Sequence, residues 1–360
     1  MIKGIFEGLE ISGVATAVPT RKVKNIDYIP TFGEDVVDKI IASTGVNESY
    51  HSIQEQTASD LAFEAAKHLL EKMNIDKDSI GFLVFICSHP DYVGPATAFV
   101  LHKRLELSED CVPFDVNLNC SAFVYGLYIV SSMLNSGNTK RGLILIGDTT
   151  TKVVSPFDTS RLLFGDAGAA ILVEKKEAVV TPINIGLKAD GTRFGAIISP
   201  GGGFRNPNPS HDMEVWKDGI RRSDYNLYMN GMDVFSFTMT DVPKLIREFM
   251  TEFNVTSNDI DALILHQANA FIIKHLVKKI GMTMDKVPIS LDRYGNVSGV
   301  SIPLTLCDAY GYMSGQTKRL MFSGFGVGLS WGVATLTLNT DVVLPIIHTD
   351  ECYTEGIVTH

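Results

Sequence analysis

Cys120 stands where a thiol could act as a nucleophile. A short strand-like segment, 112–116, precedes it, and an apolar segment with helical periodicity, 121–134, follows it. The amide groups and the positive dipole end of a helix N-terminus can lower a thiol pKa from about 8.5 towards neutrality. We therefore expect a reactive thiolate at Cys120. Cys87 and Cys307 lie inside apolar runs and are predicted to be inert core residues.

Two polar residues occupy comparable junctions in the second part of the chain. His266 ends the predicted strand 262–265, and Asn296 lies in a Gly-Asn-Val-Ser-Gly turn. A lone histidine is more often a structural residue, and an Asn in a Gly-rich segment is more often a plain turn residue. Ligands, however, gather at the carboxyl ends of strands in α/β sheets. His266 and Asn296 are therefore candidates to act together with Cys120.

The chain repeats itself with an offset of about 180 residues. Asn74 and Asn254 each follow an amphipathic segment and precede a strand-like run. A Val-Pro pair leads towards Cys120 in the first part, and another Val-Pro pair leads towards Asn296 in the second part. The repeat therefore places Cys120 and Asn296 at equivalent points of two related halves.

Helical and strand-like segments alternate in both halves, which predicts an α/β fold with mostly parallel sheets. The apolar segment 123–133 carries no charged residue, so we expect it to lie buried between two sheets. The prediction is a five-layered αβαβα arrangement of two duplicated halves. The other predicted helices and the shortest predicted strands are 58–73, 242–253, 270–280, 143–146 and 263–265.

Four regions follow from the repeat. We predict a first half at residues 1–178, which carries the nucleophilic Cys, and a second half at 179–338, which carries His and Asn. The segment from about 199 to 228, which is rich in Gly and Pro, interrupts the second half as an inserted loop or lid. A tail at 339–360 lies beyond the repeat.

Composition excludes several classes of protein. The formal net charge of −10 argues against a general nucleic-acid binder, because phosphate affinity depends on clustered Lys and Arg. No apolar run approaches the roughly 20 residues of a membrane-spanning helix. Five scattered cysteines without a Cys-x-x-Cys pair predict neither a disulfide framework nor a zinc site, and they indicate a cytoplasmic protein.

The run Gly324-Phe325-Gly326-Val327-Gly328 needs its own interpretation, since Gly-x-Gly after a strand can indicate dinucleotide binding. That fingerprint requires a following helix to hold the pyrophosphate. The segment 330–338 alternates like a strand instead, so we expect these glycines to permit a close backbone approach at an oxyanion hole.

Taken together, the motifs resemble those of the β-ketoacyl-acyl-carrier-protein synthase III family, a group of condensing enzymes with a thiolase-like fold. The resemblance spans about residues 8–338 and rests on five motifs in family order. They are Cys120-Ser121-Ala122-Phe123, Phe164-Gly165-Asp166-Ala167-Gly168-Ala169, His266-Gln267-Ala268-Asn269, Gly295-Asn296 with Ser301-Ile302-Pro303, and the glycine run with Trp331-Gly332.

The resemblance implies a decarboxylative Claisen condensation. Cys120 would carry an acyl group taken from a thioester, and His266 and Asn296 would polarise the carbonyl of malonyl-acyl-carrier protein. The amides of Cys120 and Val327 would form the oxyanion hole, and Phe325 would shape the acyl pocket, as would Phe123. The family also implies no metal and no resident cofactor, an acyl carrier protein as partner, and a homodimer.

Departures from the family pattern concern the acyl donor. Where coenzyme A-primed members stack the adenine ring between Trp and Arg, this chain has Lys39 and Asp158, with Arg161 nearby. We therefore hypothesise an acyl-carrier-protein donor or a specialised primer. Gly94 falls near a partner-facing position that often holds an aromatic residue and closes the acyl pocket, so we expect a primer longer or bulkier than acetyl.

Carrier proteins are acidic, so their docking patch should be basic. Lys274 and Lys278 share one face of the predicted helix 270–280, with Lys279 adjacent, although a simply solvated helix face would look the same. The main alternative function is a specialised thiolase-fold acyltransferase or condensing enzyme of secondary-metabolite or surface-polysaccharide biosynthesis, with a non-acetyl donor.

Overall fold

The computed structural model describes residues 1–179 and 181–356. The strands are β1 (Ile2–Phe6), β2 (Leu9–Val18), β3 (Lys22–Lys24), β4 (Glu48–Tyr50), β5 (Ile80–Ile86), β6 (Val112–Val116), β7 (Arg141–Asp148), β8 (Ala167–Lys175), β9 (Ile183–Ala189), β10 (Ile197–Ile198), β11 (Glu214–Val215), β12 (Arg221–Arg222), β13 (Tyr228–Met229), β14 (Ala262–Leu265), β15 (Thr317–Gly326), β16 (Ser330–Asn339) and β17 (Ile347–His348). The α-helices are α1 (Ile29–Phe32), α2 (Glu34–Thr44), α3 (Ala58–Lys72), α4 (Thr97–Arg104), α5 (Ala122–Ser136), α6 (Gly231–Glu252), α7 (Ala270–Ile280), α8 (Leu291–Tyr294) and α9 (Ser301–Tyr310).

Two large sheets carry the fold. The first sheet has the strand order β17-β2-β8-β7-β5-β6, and the second has the order β1-β9-β16-β15-β14. In the first sheet β5 runs parallel to both β6 and β7. In the second sheet, as far as the structure describes it, parallel pairing occurs only between β14 and β15. The expectation of mostly parallel sheets is wrong there, because β15 returns directly as β16 through a short turn and so pairs antiparallel with it.

Five layers stack around three apolar clusters, which confirms the predicted αβαβα arrangement. Helices α5 and α9 lie between the sheets, α3 packs on the outer face of the first sheet, and α6 and α7 cover the second. Because α5 contacts strands of both sheets, it buries apolar residues on several faces. The absence of charged residues from this segment had predicted this burial between the sheets.

The first and the last strand each complete the sheet of the other half. Strand β1, in the first residues of the chain, pairs antiparallel with β9 at the edge of the second sheet. Strand β17, in the tail, pairs parallel with β2 at the edge of the first sheet. The division of residues 1–178 and 179–338 therefore needs correction at the start of the chain, where residues 2–6 complete the opposite half. The tail 339–360 is likewise part of the first sheet as far as β17.

The insert predicted at about 199–228 contains the short hairpin β11–β12 and leads into β13. It is followed by α6, which begins at Gly231 and not at residue 242 as the periodicity suggested. Asn230 caps this helix by accepting hydrogen bonds from the amides of Met232 and Asp233. No helix in the described ranges is both long and apolar enough to cross a membrane.

Candidate active site

Cys120 lies between the end of β6 and the start of α5, as the sequence predicted. Its sulfur is 3.8 Å from Ser298 Oγ, and the backbone amides of Cys120 itself and of Val327 face it. Burial nevertheless raises the pKa of the Cys120 thiol to about 12, because the hydroxyl and the two amides offset only part of the desolvation. The prediction of a lowered thiol pKa is therefore wrong.

The glycine run at 324–328 allows the second half to approach Cys120 closely. A Cβ atom at Gly326 would lie 2.9 Å from Cys120 Sγ, and one at Gly324 would lie 3.0 Å from the carbonyl oxygen of Cys120. The run ends β15 and is followed by β16, with no helix that could hold a pyrophosphate. The geometry thus agrees with a close-approach role for these glycines.

His266 ends β14 and is 2 % exposed. Its Nδ1 lies 2.7 Å from Ser301 Oγ, and its ring packs edge-to-face on Phe325 at 5.3 Å between centroids. Burial lowers the pKa of His266 to about 3, so the imidazole is neutral at physiological pH. Ser301 Oγ also lies 2.8 Å from the carbonyl oxygen of Ser298, so its single hydrogen can point to either acceptor.

Asn296 is held by both halves of the molecule. Its amide donates to the carbonyl of Leu163 at 2.8 Å, and its carbonyl accepts from the amide of Gly165 at 3.2 Å. A Cβ atom at Gly165 would lie 2.3 Å from the carbonyl oxygen of Tyr294, so only glycine fits this crossing. The side-chain Oδ1 accepts from the amide of Ser298 at 2.9 Å, which leaves the Nδ2 group of Asn296 free to donate elsewhere.

Cys120, His266 and Asn296 line one cavity of about 260 Å³, together with Phe325 and Val327. The structure thus brings the three predicted catalytic residues and the predicted oxyanion-hole residues to one place.

Two predicted pocket residues are not in this lining. Phe123 is fully buried and packs on Phe322 at 5.0 Å between ring centroids, so its assignment to the acyl pocket is wrong. It occupies the face of α5 that is packed between the sheets. Gly94 lies on a loop outside the lining, and a Cβ there would meet no atom within 4 Å. Its proposed partner-facing role therefore stays a prediction.

The cavity also contains residues that sequence reasoning missed. Phe235 of α6 and Phe271 of α7 stack at 6.1 Å between centroids, are about half exposed and form an aromatic rim at the mouth. His89, Asn119 and Thr150 line the cavity from the first half. A signal for His89 was present, because it follows strand β5 as His266 follows β14.

Asp158 does not face an open nucleotide site. Its carboxylate is buried and pairs with Arg222 of the insert, and the Arg222 guanidinium lies 5.7 Å from the ring centroids of Trp216 and Tyr228. Arg161 donates to the carbonyl of Val154 at 3.0 Å. Lys39 is exposed on α2.

The predicted docking lysines are all exposed on α7. Lys274 lies one turn after the rim residue Phe271, and Lys278 follows one turn later, with Lys279 beside it. The basic face therefore begins next to the cavity mouth. Within the described ranges no group of three or more His, Cys, Asp or Glu residues could hold a metal ion.

Comparison with known proteins places the chain among condensing enzymes. The family model for 3-oxoacyl-[acyl-carrier-protein] synthase III matches residues 114–191, and the model for its C-terminal part matches residues 250–338. A β-ketoacyl-[acyl-carrier-protein] synthase III from Clostridium perfringens is 33% identical over 91% of this chain and 98% of its own length. One from Lactococcus lactis is 32% identical over 91% and 99%.

Solved structures agree with these relatives. The crystal structure of a 3-oxoacyl-(acyl-carrier protein) synthase from Burkholderia xenovorans superposes with a TM-score of 0.89 at 33% identity. The match covers 97% of this chain and 99% of that one. The five-layered fold is thus shared over nearly the whole chain.

Proposed function

The chain belongs to the 3-oxoacyl-[acyl-carrier-protein] synthase III family, and from its cavity we propose the individual steps and partners of the condensation. The chain is an acyltransferase of the condensing type. It joins an acyl group held on Cys120 to a two-carbon unit from malonyl-acyl-carrier protein. The observation that carries the proposal is the convergence of Cys120, His266 and Asn296 on one cavity.

In the first step the Cys120 sulfur attacks the carbonyl carbon of an acyl thioester. The S–H proton leaves the sulfur and ends on the departing thiol, while a new S–C bond forms. Because the thiol pKa is raised, the thiol is protonated in the resting protein and must lose its proton as it attacks. The amides of Cys120 and Val327, which face the sulfur, stabilise the negative oxygen of the tetrahedral intermediate.

In the second step malonyl-acyl-carrier protein loses carbon dioxide, and the resulting enolate carbon attacks the acyl-Cys120 carbonyl. The free Nδ2 group of Asn296 donates to the enolate oxygen. His266 donates from Nε2 when the Ser301 hydroxyl turns its hydrogen to Nδ1, because the neutral imidazole then carries its proton on Nε2. As the new C–C bond forms, the C–S bond to Cys120 breaks, which gives a 3-oxoacyl-acyl-carrier protein and the Cys120 thiolate. The thiolate takes a proton from water to return to the thiol, and no metal or resident cofactor takes part.

The proposed donor is an acyl-carrier-protein thioester or a specialised non-acetyl primer, as in secondary-metabolite or surface-polysaccharide synthesis. Asp158 and Lys39 offer no stacking surface for adenine, and the insert residue Arg222 is committed to Asp158. The exposed lysines of α7, next to the rim, fit an acidic carrier protein. These observations favour a carrier-bound donor over acetyl-coenzyme A.

We also propose a cytoplasmic homodimer that forms through β6. This strand is the outer edge of the first sheet, and among the described strands it pairs only with β5. Val112 on β6 and Phe99 on α4 are both more than half exposed. A second subunit that pairs with β6 would cover this apolar surface. Light scattering should give twice the chain mass of 39.4 kDa, and a monomer would contradict the proposal.

Intact-mass spectrometry tests the proposed function directly. The protein is offered acetyl, butyryl and longer thioesters of coenzyme A and of acyl carrier protein, followed by malonyl-acyl-carrier protein. We expect an acyl adduct on Cys120 and then a 3-oxoacyl-carrier product, with carrier-bound primers of C4 or longer preferred. If acetyl-coenzyme A acylates fastest, the donor proposal is wrong, and if no adduct forms, the condensation proposal is wrong.

A further inference from the structure

One side of the cavity is polar. His89, Asn119 and Thr150 line it from the loops that follow β5, β6 and β7, which are neighbouring strands of the first sheet. Parallel strands place their carboxyl ends at the same sheet edge, so these three residues stand beside Cys120. The aromatic rim, by contrast, belongs to helices α6 and α7 of the second half.

A chain of hydrogen bonds fixes the polar side. Asn119 Nδ2 donates to Asp148 Oδ2 at 3.2 Å and to Ser88 Oγ at 2.7 Å. Because a carboxylate only accepts, the group facing Asp148 must be the NH₂ end of the Asn119 amide. Thr150 Oγ1 donates to the other oxygen of Asp148, so this buried carboxylate anchors both residues.

The same chain reaches His89. Ser88 Oγ accepts from Asn119 and lies 2.9 Å from His89 Nδ1, so the Ser88 hydroxyl hydrogen is available to Nδ1. When Ser88 donates to Nδ1, the ring N–H is on Nε2. No described residue accepts from Nε2, while His89 lines the cavity. The wall of the cavity that Cys120 lines therefore contains an imidazole that can donate a hydrogen bond.

We propose that His89 recognises an oxygen substituent on the acyl group delivered to Cys120, so that the primer is a hydroxyacyl or oxoacyl chain. The inference rests on the proposed function, because it assumes that an acyl group is loaded onto Cys120. A substrate oxygen would accept from Nε2–H, whereas a plain alkyl chain would leave that donor without a partner. A site built to bond a substrate oxygen discriminates strongly against the analogue that lacks it.

The test compares two primers of equal chain length, butyryl- and 3-hydroxybutyryl-acyl-carrier protein, in the acylation step alone. Malonyl thioester is left out of the assay, so that a contact between His89 and the malonyl carboxylate cannot affect the measured acylation rates. Intact mass gives the rate of adduct formation on Cys120. We expect the wild-type protein to load the hydroxyacyl group roughly tenfold faster or more.

Two variants locate the discrimination. His89→Leu removes the donor and should bring the two rates within about twofold, while His89→Gln keeps an N–H donor and should preserve the preference for the hydroxyacyl primer. Thermal unfolding checks that both variants fold. If His89→Leu does not fold, the wild-type preference and its retention in His89→Gln decide the question.

Equal wild-type rates for the two primers would overturn the inference, and so would an equal fall of both rates in His89→Leu. In either case Cys120 is still acylated, so the proposed function survives. If neither primer nor any other thioester acylates Cys120, the proposed function itself fails. The two failures are thus distinguishable in one set of spectra.

Discussion

The two halves of the molecule reach the cavity by different routes. In the first half the segment before Cys120 is the regular strand β6, and the 15-residue helix α5 begins two residues after Cys120. In the second half the corresponding segment 287–289 forms no strand. The four-residue helix α8 and a turn precede Asn296, and α9 has only ten residues.

The difference shows how a duplicated scaffold can divide its work. Cys120 stands at a strand-to-helix junction of its own half, whereas Asn296 is fixed by backbone hydrogen bonds to Leu163 and Gly165 of the other half. Loss of the strand at 287–289 leaves β14 as the edge of the second sheet. In the proposed reaction the first half accordingly provides the nucleophile, and the second provides the groups that polarise the malonyl thioester.

The largest effect is expected for substitution of the nucleophile, which should separate condensation from decarboxylation. Cys120→Ala should lower condensation by roughly 10⁴-fold or more, because no acyl intermediate can form. Malonyl-acyl-carrier protein should still lose carbon dioxide, since His266 and Asn296 remain. Release of carbon dioxide and product formation are measured together, and Cys352→Ala, at an exposed tail cysteine, is the matched control. Complete loss of both activities would contradict the division.

The second-largest effect is expected for substitutions in the second half. His266→Ala or Asn296→Ala removes one donor to the enolate and should lower decarboxylation about 10²- to 10³-fold. Acylation of Cys120 should change far less, because its oxyanion hole is formed by backbone amides. Single-turnover acylation and decarboxylation are followed separately in each variant. An equal fall in both steps would show that the two halves do not act independently.

The third effect concerns the pH dependence of the thiol. The pKa of Cys120 is raised from 9.0 to about 12, so the thiolate fraction is small at neutral pH and grows as the pH rises. Alkylation by iodoacetamide should therefore accelerate by about tenfold per pH unit from pH 7 to 10 without levelling off. A reference cysteine peptide, with a thiol pKa of about 8.5, levels off above pH 9. A plateau for Cys120 near pH 7 would restore the sequence-based expectation.

The smallest effect tests the outer surface of the second half. Lys274→Glu combined with Lys278→Glu should raise KM for carrier-bound substrates roughly three- to tenfold, and the effect should shrink at high salt. Thioesters without a carrier protein should be unaffected. Lys72→Glu, on the outer layer of the first half, is the control. Equal changes for both kinds of substrate would argue against carrier docking on α7.

The regular parts of the fold were predictable from local pattern. Helix α7 and strand β6 have the bounds that periodicity gave, because each presents one apolar face over its whole length. The start of α6 was missed, since most residues from Gly231 to Asp241 line the cavity or face solvent, and only Phe237 and Met239 join the apolar core there. The cap at Asn230 was the available signal.

The candidate site was predictable where a residue ended a strand, and less so where burial decides the chemistry. His266 follows the end of β14 and Cys120 lies between β6 and α5, whereas Asn296 follows no strand and was placed with them by the repeat. The predicted direction of the shift in the Cys120 thiol pKa was wrong. The position of a residue at the start of a helix is visible in a sequence, whereas its desolvation is not. Phe123 was misplaced because an apolar helix gives no indication of which face meets the cavity.

The exchange of strands between the halves determines when each sheet can be completed during synthesis. Strand β1 leaves the ribosome well before its partner β9, which begins at residue 183. Strand β17 is made long after its partner β2, and until β17 emerges the edge of β2 stays open to pairing with other chains. Each sheet is therefore completed by a strand that is distant in sequence from its partner. Such long-range pairing slows folding, and it should make the two halves acquire stability together.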